Sequence, residues 1–303
     1  MAFIALSNTD NQPGALEGID MSAYILDPAK LFATHKARVI ADGGVVKDEA
    51  ATLSEFTFIV NSGFYDRISA WPYVNGGVKF DVQGNVQKVY SLVGPDFIAV
   101  LAAGSANPAP TIKLDETGAQ RGVQILLSNG GYYLRSETVL KLQAAPNKKW
   151  LLSARMRDVD LADNAGISMA WGVASSTSAF FECRKTTTIS NPWKYVATNV
   201  VPPVSGSYVA ATQVPYADFV PSAGLFNALT GEVMGYEGGR VMQMGVSPTG
   251  NLADLSSTSN YLWIGTTYIG QAGNLNVCNG TFASARCLNQ ATERDAVLLS
   301  TRR

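Results

Sequence analysis

The sequence predicts a mainly β protein: a two-sheet jelly-roll sandwich, preceded by an N-terminal arm and an αα-hairpin and closed by a short C-terminal helix. Three observations predict it. From about Val78 onward, apolar runs of strand length alternate with turn clusters. Two of these runs keep a period of two, with bulky residues on one side, as a strand against a core does. The runs number about a dozen over some 210 residues, which suits a two-sheet jelly roll better than a seven-stranded sandwich.

Residues 1–26 show no period and carry Asn, Asp, Pro and Gly between 8 and 14, so they read as an extended or irregular arm. Asp27-Pro28 opens a helix, because Asp accepts from orphan helical N–H groups and Pro loses nothing at the first position. Leu31, Phe32, His35, Val39 and Ile40 form its apolar face, and Gly43-Gly44 ends it. A second helix is predicted from about Lys47 to Asn61, with Leu53, Phe56, Ile59 and Val60 as its stripe and Gly63 as its stop. A short turn or helix follows at Phe64–Trp71. The domain division is thus 1–26 arm, 27–77 helical hairpin module and 78–303 sandwich with C-terminal helix. In Trp150–Arg157, the residues Trp150, Leu152, Ala154 and Met156 face one way and Ser153, Arg155 and Arg157 the other, with Leu151 an apolar exception. Ile167–Val173 alternates likewise. Further strand runs are Lys88–Val93, Val123–Leu127, Val139–Gln143, Phe180–Arg184, Trp193–Val201, Tyr208–Val214, Val241–Val246, Tyr261–Thr266 and Thr281–Cys287. Asn289–Arg303 returns to helix, with Asn289 as its expected cap.

Composition narrows the function. Charged residues are 16% of the chain, against roughly 25% in an ordinary soluble domain, and the net charge is −1. No basic excess exists to neutralise a phosphate backbone, which argues against nucleic acid as a partner. The single histidine, His35, argues against Ser-His-Asp triads and multi-histidine metal sites. Placed on an apolar helix face, it is expected as a hydrogen-bonded packing residue, with a pH switch as the alternative. No apolar run reaches the roughly 18 residues of a membrane span, and the first residues lack the basic region of a secretory signal. Cys183, Cys278 and Cys287 are then expected as reduced core thiols, with a Cys278–Cys287 bridge as the weaker alternative.

Two sets of motifs carry a resemblance. Leu262-Trp-Ile-Gly265, Asn279-Gly-Thr-Phe-Ala-Ser-Ala-Arg-Cys-Leu-Asn289 and Thr292-Glu-Arg-Asp-Ala296 resemble the closing strands and helix of concanavalin A-like (laminin-G-like) jelly rolls. Ala37-Arg-Val-Ile-Ala-Asp-Gly-Gly44, Gly63-Phe-Tyr-Asp66 and Lys88-Val-Tyr-Ser-Leu92 are similar to a module of bacteriophage structural proteins in which a helical hairpin precedes such a jelly roll. The resemblance implies a non-catalytic virion component, a tail, fibre, collar or head-decoration protein, made in the host bacterial cytoplasm. It also implies other virion proteins as partners and favours a trimer among homo-oligomers.

The chemistry-bearing residues are sparse. Asp158, Asp160, Asp163 and Asn164 form the one dense oxygen cluster, a candidate Ca²⁺ loop. It lacks EF-hand spacing and the distal Glu, and a polar strand connection kept soluble by Asp and Asn is the plainer reading. No other cofactor is expected. Trp71, Tyr73 and Trp193, with Tyr236, are candidate platforms for a host surface glycan, against a role in the core or an interface. Glu182, Glu232 and Glu237 are the carboxylates nearest to a glycosidase pair, but no spacing singles two of them out. Met234, Met242 and Met244 read as core packing. Phe3, Ile4 and Leu6 are too few for a core and would be wasted in water, so they are the candidate docking residues. The expected function is a non-catalytic virion structural component that docks on a particle and self-associates. A receptor-binding lectin is the alternative, and a polysaccharide depolymerase ranks last.

Overall fold

The computed structural model describes residues 26–101, 112–116, 121–125, 131–141, 147, 149–158, 168–173, 179–184, 193–197, 207–211, 219–227, 229–230, 232–246, 259–265 and 280–302. Two helices come first, α1 (Pro28–Ala41) and α2 (Glu49–Asn61). The strands follow as β1 (Ile68–Ala70), β2 (Val78–Phe80), β3 (Val86–Val89), β4 (Phe97–Leu101), β5 (Lys113–Asp115), β6 (Gly122–Ile125), β7 (Tyr132–Ser136), β8 (Leu140–Lys141) and β9 (Lys149–Asp158). Then come β10 (Ser168–Val173), β11 (Ala179–Arg184), β12 (Trp193–Ala197), β13 (Ser207–Ala211), β14 (Val220–Asn227), β15 (Glu232–Glu237), β16 (Arg240–Val246), β17 (Ser259–Ile264) and β18 (Gly280–Asn289). The last element is α3 (Glu293–Thr301).

The strands form two antiparallel sheets. One runs β16-β15-β14-β9-β18-β6-β5, with β1 also on β18; the other runs β13-β12-β11-β10-β17-β7-β4-β3-β2, with β8 also on β17. Neighbours such as β9 and β18, or β10 and β17, lie far apart in sequence. Long crossovers of this kind are what a jelly roll requires, so the fold class is the one the strand pattern predicts.

Along β9 and β18 the first sheet is buried on both faces. Its inner face meets the second sheet through Trp150, Leu152, Ala154 and Met156 of β9 and Phe282, Ala285 and Cys287 of β18. Leu151 points the other way, into an outer apolar layer with Leu288, Ala223, Leu225 and Tyr236. α2 and α3 close that layer with Phe56, Ile59, Ala296 and Leu299. The apolar exception in the alternation of β9 is therefore a contact with the helices. Burying one such side chain contributes about 1.5–3 kcal/mol.

Local chemistry explains the helix ends. Asp27 Oδ1 accepts from Ala29 N at 2.8 Å and caps α1 as expected. Gly43 takes φ +78°, and the Gly43 and Gly44 amides donate to Ile40 O and Val39 O, which ends the helix. α2 begins at Glu49 rather than near Lys47, because Asp48 is the residue whose carboxylate caps it, accepting from Ala51 N. Ile40, expected on the buried face, is 57% exposed, since the face that docks is centred on His35 and Val39. Asn289 does not cap α3. It continues the β18 ladder opposite Trp150 and donates to Ser69 Oγ. The cap is Thr292, in a reciprocal capping box with Asp295.

The segment 64–71, expected as a short turn or helix, is a 3₁₀ turn at Tyr65–Arg67 followed by β1, which joins the sandwich against β18. Strands β2, β4, β5, β7, β14 and β15 carry no clean signal in sequence. β7 is buried on both faces and reads Tyr-Tyr-Leu-Arg-Ser without alternation, while Pro221, Gly224 and Gly235 interrupt β14 and β15.

Candidate functional site

Two groups of side chains lie where the hairpin meets the sandwich, one buried and one open. The buried group is centred on Glu55 of α2, which is 2% exposed. Its Oε1 accepts from Trp71 Nε1 at 3.1 Å and from Arg286 Nη2 at 3.0 Å, and its Oε2 accepts from Arg302 Nε at 3.2 Å. Burial alone would push the Glu55 carboxyl up, but Arg286 and Arg302 outweigh it and hold the group below the usual carboxylate range. Arg286 is fully buried and lies over the Trp71 ring, 5.3 Å from its centroid. Arg302, just past α3, lies over Phe58 at 4.6 Å. One carboxylate thus ties α2, β18 and the chain after α3 together. Arg67 adds a second tie by donating to both oxygens of Asp295 at 2.6 and 3.2 Å.

A third tie holds the far end of α1. The Asp42 carboxylate accepts from Lys88 Nζ at 2.9 Å, Tyr90 Oη at 2.8 Å and Lys79 Nζ at 3.1 Å. These three donors hold it well below the usual carboxylate range.

The open group is a cleft of about 330 Å³ along α1, between that helix, α2 and the 3₁₀ turn. Its apolar lining is Leu26, Leu31, Phe56 and Leu92, and its polar lining includes Lys30, Thr34, His35 and Arg38. This volume lies at the lower end of the range for small-molecule pockets. At its inner end His35 is 4% exposed, and its Nε2 lies 2.8 Å from Gly76 O. A carbonyl can only accept, so Nε2 carries the proton and Nδ1 faces Arg38 Nη2 at 3.4 Å as an acceptor. Burial pushes the His35 ring down; the Gly76 carbonyl pulls it up, Arg38 lowers it further and Asp96 raises it, and the net direction is down. Arg38 is itself held by Asp96 Oδ2 at 2.6 Å and by Ser91 O at 2.8 Å. His35 is thus the hydrogen-bonded packing residue its position predicts. The cleft combines an apolar floor with a polar wall on which Lys30, Asp27 and Arg38 lie.

The sequence-predicted sites fare unevenly. Trp71 is fully buried and Tyr73 is 4% exposed, so neither offers a face to a glycan. Both are core residues beneath α2, and Trp71 spends its indole N–H on Glu55. Tyr236 is likewise buried, its hydroxyl pushed up to about 12 by burial and Glu293. Trp193 opens β12, and its side chain lies outside the described set. Phe3, Ile4, Leu6, Asp160, Asp163 and Asn164 lie outside the described residues, and Asp158 is described only as the last residue of β9. Among the described residues no group of three or more His, Cys, Asp and Glu is placed to hold a metal ion. Glu232 and Glu237 fall on opposite faces of β15 and form no pair; Glu182 lies in β11. Met234 packs in the outer layer. Cys287 is a free, buried thiol pushed well up by burial, so it makes no bridge to Cys278. No helix among the described residues is long and apolar enough to cross a membrane.

Sequence reasoning missed Glu55, Arg286 and Arg302 as a unit. The signal was a carboxylate beside Phe56 in the buried stripe of α2 and an arginine inside the predicted strand Thr281–Cys287, which need each other once both are covered.

No family model matches the chain, and no curated protein does. Among solved structures it is similar to a heptameric SAP-like pentraxin from Limulus polyphemus, at 12% identity and TM-score 0.42, over 55% of this chain and 75% of that one. It is also similar to domain 4 of an extracellular arabinanase from Geobacillus stearothermophilus, solved with arabinotriose, at 11% identity and TM-score 0.44, over 77% and 98%. A third similar structure is the botulinum neurotoxin serotype D binding domain, at 9% identity and TM-score 0.48; the match covers 78% of this chain and about half, 52%, of that chain. These are distant likenesses of fold, and no activity is carried across from them.

Proposed function

We propose that this chain is a non-catalytic structural module whose N-terminal arm docks a rigid β sandwich onto a larger assembly, a bacteriophage virion by the sequence resemblance. The observation that supports it best is the lock on Glu55. Residues 1–25 precede α1, and the hairpin that α1 begins is joined to the sandwich by one buried carboxylate shared between Arg286 and Arg302. Removing one partner of a buried ion pair costs about 3–5 kcal/mol, so Glu55 fixes the hairpin firmly to the sandwich. Such a coupling suits an anchor. The burial of Trp71, Tyr73 and Tyr236 removes three of the four glycan platforms and so weighs against the lectin alternative.

A mass-spectrometric census of purified particles tests the reading, and the chain is expected there at fixed stoichiometry. The full-length chain with Phe3→Ser, Ile4→Ser and Leu6→Ser is expected to fold, and to be depleted from particles about tenfold or more. Particles lacking the wild-type chain would overturn the reading. Saturable binding of the chain to a glycan array would replace it with a receptor-binding lectin, and release of oligosaccharide from capsule with a depolymerase.

A further inference from the structure

We propose that the outer face of the first sheet binds a small monovalent anion of the size of chloride, enclosed among Arg286, Ser284 and Ser153 beneath α2 and residues 71–73.

Three observations carry this. The first is placement. On the face of β9 and β18 turned toward the helices, Ser284 lies opposite Arg155 and Arg286 lies opposite Ser153. Two arginines and two serines therefore stand at the corners of a square, with cross-strand neighbours about 4.5–5.5 Å apart at Cβ. Tyr73 pairs with Ser284 on one side, and Ala223 of β14 pairs with Ser153 on the other. The square is closed over: Ser153, Ser284 and Arg286 are fully buried, and Arg155 is 5% exposed. Any ligand held there is small.

The second is unmet hydrogen bonding. Arg286 Nη2 donates to Glu55 Oε1 at 3.0 Å. Its Nε and Nη1 have no hydrogen-bond partner among the described residues, and neither do Ser153 Oγ and Ser284 Oγ. A guanidinium nitrogen only donates, so what Arg286 needs is an acceptor. A serine hydroxyl donates as well, so one acceptor can gather N–H groups from Arg286 and O–H groups from its two serine neighbours. Buried polar groups are rarely left without such a partner, because leaving them unmet is costly.

The third is charge. Glu55 answers both Arg286 and Arg302, one negative charge for two positive ones. Arg155 stands beside them, and burial together with Arg286 pushes its guanidinium below the ordinary range, although Tyr73 and Glu55 pull the other way. Tyr73 supplies no negative charge, since burial and Glu55 hold its hydroxyl above the ordinary value. Buried charge calls for counter-charge. Water would meet the hydrogen bonds alone, whereas an anion meets the hydrogen bonds and the charge together. The site depends on how the hairpin packs on β9 and β18 and not on a place in a virion, so particle incorporation does not report on it.

The test compares chloride with gluconate, an anion too large for an enclosed site, at equal ionic strength. The full-length protein is unfolded in urea and refolded in chloride-free buffer. Added chloride is expected to raise the thermal midpoint saturably, by about 3 °C at ten times the half-saturating concentration, and gluconate to leave it unchanged. Ser153→Ala with Ser284→Ala removes two donors without adding bulk, and is expected to raise the half-saturating chloride concentration about tenfold or more. Crystals grown in sodium bromide give a second readout that needs no refolding, an anomalous peak beside Arg286. Equal midpoints in chloride and gluconate, or a chloride response that the double variant keeps, overturn the proposal. A crystal with no bromide at Arg286 also overturns it, because water then fills the place.

Discussion

The two faces of the β9–β18 sheet are both buried, yet they are built differently. Toward the other sheet, β9 and β18 present Trp150, Leu152, Ala154, Met156, Phe282, Ala285 and Cys287, an apolar surface. Toward the helices, the same two strands present Leu151 and Leu288 together with Ser153, Arg155, Ser284 and Arg286, all at 5% exposure or less. An apolar face accepts any partner of suitable shape. A face carrying buried arginines accepts only a partner that brings a carboxylate to the right place, and α2 brings Glu55. The inner face thus supplies most of the driving force for folding. The outer face selects which element docks there and in what register.

That contrast can be broken by substitutions that conserve volume. Glu55→Gln keeps the shape but leaves Arg286 buried beside a neutral amide, and is expected to cost about 3–5 kcal/mol in denaturant unfolding. Leu152→Met on the inner face is also close to isosteric and is expected to cost under about 1.5 kcal/mol. Similar losses for the two would show that charge does not distinguish the faces.

Acid separates two parts of the hairpin interface. His35 is held below its ordinary value of about 6.5, so its neutral form belongs to the folded chain. Its share of stability is complete above that value and is lost as pH falls below it, because the unfolded chain takes up the proton first. Glu55 is also held below its ordinary value, so its share is lost only as pH falls below the carboxylate range, about 4.3. Thermal midpoints measured against pH should therefore fall in two steps. His35→Gln should remove the upper step and leave the lower one; an upper step that survives would place its origin elsewhere, since this chain has one histidine.

The smallest expected effect is on α3, which only closes the edge of the outer layer. Thr292→Ala removes one half of the capping box and should cost about 1 kcal/mol. Hydrogen exchange should show the change in residues 293–301 before it appears in the sandwich.

How much was legible in sequence depended on whether a signal was local. Asp27-Pro28, Gly43-Gly44 and the alternation of Trp150–Arg157 are local, and each lies in the structure where its pattern places it. Strands β7, β14 and β15 were not legible, because a strand covered on both sides, or interrupted by Gly and Pro, shows no period of two. Trp71 and Tyr73 were misleading as glycan platforms for a related reason. An aromatic beside Pro72 reads the same whether water or a helix lies over it, and α2 lies over this one. Neither cleft residue Lys30 nor Arg38 carries any signal of its own; only the packing of α1 on α2 makes a groove between them.

The amino-acid sequence by itself determined the class of fold and the hairpin that precedes it, because period and capping are properties of short stretches of chain. Tertiary structure alone decided that the outer face of the sheet is an interface, that Glu55 and Arg286 meet across 231 positions, and that a cleft opens along α1. Those features depend on which surfaces exclude water together, and burial turns an ordinary charge into one that must find its partner.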